Sequence, residues 1–147
     1  MLLGDFSNER LDVAPIGRDF GWSVIQTADL DGLREIGLSR TVIGVLVQSG
    51  SVGMAWPKVL RSVRTAVPRA RIILCHKADQ VDARTQMVDA GAFGVLLTPL
   101  AHSEVRQSLG FIWASKITPM QQIASPARKL SSKTSSIEEK VRQAGAA

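Results

Sequence analysis

The chain has one cysteine, Cys75, in 147 residues. A lone thiol excludes an internal disulfide and any cysteine-cluster metal site, and it fits a reducing compartment. Histidine is scarce too: His76 and His102 have no cysteine or histidine at ligand spacing, so both are read as surface residues and no metal is expected. No apolar run approaches the roughly 20 residues that a membrane helix needs. The opening Met1-Leu2-Leu3-Gly4-Asp5 lacks the basic start and long apolar run of a signal peptide. A cytoplasmic protein without membrane contact is the expectation. Acid–base pairs, catalytic triads and metal clusters cannot be assembled either, so no enzyme is expected and no catalytic residue or cofactor is assigned.

What remains is a 45% hydrophobic chain of the length of one domain. Its net charge of +5 is unevenly spread. From Ser115 onward six basic residues (Lys116, Arg128, Lys129, Lys133, Lys140 and Arg142) face only Glu138 and Glu139. The first 114 residues are close to neutral, which argues against nucleic-acid binding by the globular part.

The organising stretch is Thr41 to Gly50, Thr-Val-Ile-Gly-Val-Leu-Val-Gln-Ser-Gly. An unalternating β-branched run stopped by a polar turn reads as a central parallel strand buried on both faces. Ligands and chemistry in such sheets lie beyond the carboxyl ends of the strands, and here that end is Gln48. Around it, Met1 to Asp5 reads as a first strand and Asn8 to Phe20 as a helix with Leu11, Ile16 and Phe20 inward, kinked or split near Ala14 by Pro15. Trp22 to Thr27 alternates like a second strand, and Asp29 to Ile36 is a short helix. Trp56, Val59, Leu60, Val63 and Val67 form the apolar face of a third helix, with Lys58, Arg61 and Arg64 opposite and Pro68 closing it.

Arg71 to Cys75 is a further buried strand, Asp79 to Ala90 a fourth helix capped by Gly91, Phe93 to Leu97 a fifth strand and Ser103 to Trp113 the last helix. Five alternations imply a flavodoxin-like doubly wound (βα)5 three-layer sandwich, a parallel five-stranded sheet in the order 2-1-3-4-5.

Residues 1 to 114 resemble the receiver domain of bacterial two-component response regulators, the CheY-like fold. The resemblance rests on Gly4-Asp5-Phe6-Ser7 with Arg10, on Phe20-Gly21-Trp22, on Asp89-Ala90-Gly91-Ala92, and on Leu97-Thr98-Pro99-Leu100. It implies an acidic pair at positions 4 and 5, where this chain has Gly4 and Asp5. The phosphorylated aspartate falls on Gln48, a poor nucleophile without charge. The hydroxyl after the fourth strand becomes Cys75, the phosphoryl-pairing lysine becomes Thr98, and the aromatic switch residue becomes Val95. The pattern therefore resembles a pseudo-receiver, in which the fold is kept for protein contacts and the phosphorelay chemistry is lost.

Each feature has a plainer reading beside the functional one. Asp5 alone is a poor magnesium ligand set and reads as a solvated acid; Cys75 reads as an inert core thiol. Ser49, Gly50 and Gly53 form a possible anion or ligand loop without the ending of a P-loop, against a plain connection. The basic row with Arg69 and Arg71 reads as a solvated face. Val105, Leu109 and Ile112 form the inward stripe of the last helix, which leaves Phe111 and Trp113 to cover the tail or a second subunit.

Val95, Phe111 and Trp113 are accordingly the possible interface for a protein partner or homodimer formed through the fourth helix, fifth strand and fifth helix. Residues 115 to 147 read as a basic Ser/Pro-rich linker or tail, with a short helix possible at 137 to 144. Nucleic acid and transcription regulation would enter only through a missing output domain or that tail. Two functions are weighed: a phosphorylation-independent signalling module, and a sensor of a nucleotide-like or anionic effector in a crevice formed by Gly4, Gln48, Ser49, Cys75 and Thr98.

Overall fold

The computed structural model describes residues 1–77 and 83–117. The elements run β1 Leu2–Leu3, α1 Ala14–Asp19, β2 Gln26–Thr27, α2 Leu30–Ser39, β3 Gly44–Gln48, a 3-10 turn Ser49–Ser51, α3 Trp56–Ala66, β4 Arg71–Lys77, α4 Ala83–Asp89, β5 Gly94–Thr98 and α5 His102–Ile117. All strands pair in parallel in the order β2-β1-β3-β4-β5, the expected doubly wound sheet. Met1–Ile112 forms one compact unit; of the second unit, which starts at Trp113, only the last residues of α5 are described.

Alternation along each strand sends side chains to opposite faces. Leu3, Val45, Val47, Ile72, Leu74 and Val95 join Leu33 of α2, Leu60 of α3 and Met87 of α4 in one buried layer. Leu2, Leu46, Ile73, Cys75 and Leu96 meet Ile16 of α1 and Val105, Leu109 and Ile112 of α5 in the other. The stripe expected on α5 is thus the buried one. β3 carries apolar residues to both layers, which is why its sequence shows no alternation.

Four expectations are corrected. Residues 8 to 13 are not helical, and α1 begins only at Ala14, where Asp12 Oδ1 accepts the Ala14 amide at 3.0 Å and Pro15 occupies the first turn. Proline at that place gives up a donor that has no partner anyway, so Pro15 starts the helix instead of bending it. β2 is two residues long, and Trp22 to Ile25 runs without a ladder. β4 extends past Cys75 to Lys77, which brings half-buried His76 in from the surface. Val95 is 6% exposed and belongs to the core, so it cannot touch a partner directly.

Asp29 caps α2, its Oδ1 accepting the Gly32 amide at 2.8 Å. Gly91, at φ +106, ends α4 as read from sequence. Arg64 Nη2 donates to the exposed carbonyls there, at 3.4 Å to Ala90 and 3.0 Å to Gly91. The start read at Asp79 and the helix at 137 to 144 lie outside the described residues. No helix of the described residues is long and apolar enough to cross a membrane.

Candidate functional site

The carboxyl ends of β3, β4 and β5 open into a crevice of about 470 Å³, lined by Asp5, Asn8, Glu9, Gln48, Ser49, Gly50, Ser51, Cys75, His76, Lys77 and Thr98. It holds four of the five positions singled out from sequence. Gly4 is not part of the lining but lies directly behind it, at φ +107, where a Cβ would meet Gln48 Cβ at 3.0 Å and Gln48 O at 3.1 Å. Glycine is thus required at this position by backbone conformation and by space.

Gln48 ends β3 half-buried, and its Nε2 donates to Glu9 Oε1 at 3.0 Å. The other carboxylate oxygen, Glu9 Oε2, accepts the Leu100 amide at 2.7 Å. One side chain from the β1–α1 loop therefore ties the end of β3 to the segment after β5. An anion in charge-assisted contact with two N–H donors is a strong polar tether.

The remaining groups are also engaged with the scaffold. Ser51 Oγ accepts the Asp5 amide at 2.7 Å and donates to Gln48 O at 3.0 Å, joining the exit of β1 to the turn after β3. Ser49 Oγ donates to Cys75 O at 3.4 Å. Thr98 Oγ1 donates to His76 O at 3.5 Å, so the residue at the lysine position holds β5 to β4. Gly53 sits at φ +75 outside the crevice, and α3 starts at Trp56 without a side-chain cap. Ser49 and Gly50 face the crevice; the three loop residues of the sequence reading do not act together.

Asp5 is fully exposed, and hydrogen bonds from Ser7 hold its carboxyl below the usual carboxylate range. Cys75 is buried, and burial, with the charge of Glu9 adding to it, pushes its thiol up to about 12. It is a protonated, unreactive sulfur at neutral pH. Among the described residues, no group of three or more His, Cys, Asp or Glu is placed to hold a metal ion.

The sequence reading missed Glu9, Asn8, His76 and Lys77. Reading Asn8 to Phe20 as one helix gave Glu9 no role, and stopping β4 at Cys75 left Lys77 unassigned and His76 a surface residue. The crevice is therefore charged, not neutral: two carboxylates, Asp5 and Glu9, share it with Lys77. Toward an anionic effector the two carboxylates are repulsive. On α5, Phe111 is 58% exposed and Trp113 46%, and Val88 of α4 is 47% exposed.

A parallel 2-1-3-4-5 sheet with its crevice at the carboxyl ends defines a flavodoxin-like (βα)5 domain, and specifically the fold of response-regulator receivers. The chain is similar to the receiver domain of AraT, a response regulator from Geobacillus stearothermophilus, with TM-score 0.60 and 18% identity over 78% of this chain and 92% of that one. It is also similar to the chemotaxis response regulator CheY4 of Vibrio cholerae, with TM-score 0.60 and 15% identity over 76% and 94% of the two chains. The receiver domain of Francisella response regulator 1452 matches with TM-score 0.60 and 13% identity over 78% and 96%. At such identities the likeness is one of fold. No protein-family model and no curated protein matches the sequence.

Proposed function

We propose that the chain is a phosphorylation-independent pseudo-receiver, a cytoplasmic signalling module of bacterial type that regulates by binding a protein partner or a second copy of itself. The observation that carries this reading is the Gln48 amide, at the end of β3, bonded to Glu9. A carboxamide cannot become an acyl phosphate, and Glu9 already occupies the approach to it. Thr98, bonded to the β4 backbone, supplies no cation for a phosphoryl group. Asp5 is exposed and both oxygens of Glu9 are engaged by Gln48 and Leu100, which leaves magnesium without the oxygen set it requires.

With chemistry removed, what the fold offers is surface. Phe111 and Val88 are large apolar side chains left in water on α5 and α4, and exposed apolar groups of this kind mark contact sites when they cluster. Nucleic acid is reached only through an output domain or the basic tail.

The test combines chemistry and association. Incubation with acetyl phosphate and magnesium should add no phosphoryl mass, and beryllofluoride with magnesium should not bind. Tight magnesium-dependent beryllofluoride binding overturns the reading. In parallel, Phe111→Ser should weaken whatever self-association or partner capture the parent protein shows.

A further inference from the structure

At the other end of the strands the layer between the sheet and helices α1 and α5 is not closed. A cavity of about 410 Å³ lies there, beneath the amino ends of β1 and β3. Its origin is visible in the chain: Trp22 to Ile25 alternates as a strand would but forms no ladder before β2, and Val24 and Ile112 pack closely onto Gly17 and Gly44 in the walls. Leu2, Val13, Val24, Leu46, Leu109 and Ile112 make the walls apolar. Several wall residues, Trp22, Val24 and Ile43 among them, remain half-buried although they pack against the core. Apolar surface left partly wet is surface that a ligand can still remove from water.

The rim has one sign of charge. Arg40, which follows α2 in extended conformation, lines the cavity with an exposed guanidinium, and no Asp or Glu lines it. The Met1 amine, also in the lining, donates to Gly44 O at 2.9 Å. A volume of this size falls within the roughly 300–1,000 Å³ of small-molecule sites, which combine apolar walls with a few orienting polar groups. Guanidinium is the side chain best shaped to grip a carboxylate through two parallel N–H donors.

We infer that this cavity is a binding site for a small amphiphilic anion, a free carboxylate bearing a medium-length hydrocarbon chain. The chain lies between Leu2, Val24, Leu46 and Ile112, and the carboxylate meets Arg40 at the rim. The site shares no lining residue with the crevice at Gln48 and does not depend on how that crevice is read.

Trp22 in the wall supplies the readout. In the full-length chain carrying Trp56→Phe and Trp113→Phe, Trp22 emission is titrated with hexanoate, octanoate, decanoate and uncharged decanol, and amide shifts are followed with isotope-labelled protein. The expected result is a saturable change with affinity rising roughly fourfold per added methylene. Decanoate should bind more tightly than decanol, and shifts should concentrate at Gly17, Gly21 and Gly44. Arg40→Gln, an exposed change whose folding is checked by thermal melting, should weaken decanoate about tenfold and leave decanol unchanged. A non-saturable response, equal affinity for acid and alcohol, indifference to Arg40→Gln, or shifts centred on Gln48 and Cys75 would each overturn the assignment.

Discussion

Glu9 and Gln48 meet across the mouth of the crevice, carboxylate to amide at 3.0 Å, although the sequence places them on different elements. The same carboxylate accepts the Leu100 amide at 2.7 Å. Because hydrogen bonds to a charged group are worth about 1.5–3 kcal/mol each and this one is half-buried, Glu9→Gln should cost about 1–2 kcal/mol. Glu9→Ala should cost more, since it leaves both donors unanswered. Urea titration gives the comparison, and no loss for Glu9→Ala would show that the tether is decorative.

Restoring an aspartate at the acceptor position should not restore a receiver. Gln48→Asp sets a second carboxylate against Glu9, and a like charge at that distance raises the carboxyl pKa in the folded state. The folded form then binds more protons than the unfolded one, so the variant should be weakened at neutral pH and recover as the pH falls through the carboxylate range. Acetyl-phosphate labelling should stay absent by intact mass. Efficient labelling of this single variant refutes the dismantled-site reading.

Adding the missing acid beside Asp5 should fail for a different reason. Gly4→Asp forces a side chain into φ +107 and against Gln48, at a cost of about 2 kcal/mol or more. Even the combination Gly4→Asp, Gln48→Asp and Thr98→Lys should therefore remain unphosphorylated and melt well below the parent. A stable, labelled triple variant would mean the β1 exit can rearrange.

Cys75 provides a pH test. Its thiol is pushed up to about 12 in the fold against an ordinary 9.0, so stability is fully present below pH 9 and is lost as the pH rises from there toward 12. Iodoacetamide at pH 8 should leave the native thiol untouched and alkylate it readily in denaturant. Rapid modification under native conditions contradicts the burial.

Arg64→Ala removes the donor that covers the carbonyls of Ala90 and Gly91. The exposed contact is worth about 1 kcal/mol at most, and its loss should show locally. Faster hydrogen exchange at the amides of Ala90, Gly91 and Ala92 is the expected signature, with the β3 amides unaffected.

The layered α/β architecture was legible because its signals are periodic. Val45 to Val47 and Ile72 to Leu74 announce strands buried on both faces, and the spacing of Val59, Leu60 and Val63 announces the α3 face. Gln48 was legible for the same reason, as the polar residue ending an apolar run. Glu9 was not, because its partners lie far along the chain and a local reading assigns its segment to a helix that Pro15 in fact begins. The cavity near Trp22 was hidden as well: alternation in Trp22 to Ile25 suggests a strand, and only the tertiary arrangement shows that β1 offers two residues to pair with.

The brevity of β2 makes the two margins of the sheet unequal. At that margin of the sheet only Gln26 and Thr27 belong to the ladder, so an incoming chain finds almost no template for strand addition. The opposite margin is β5, five residues from Gly94 to Thr98. Strand addition by a further chain would therefore meet two ladder residues at one margin of the sheet and five at the other.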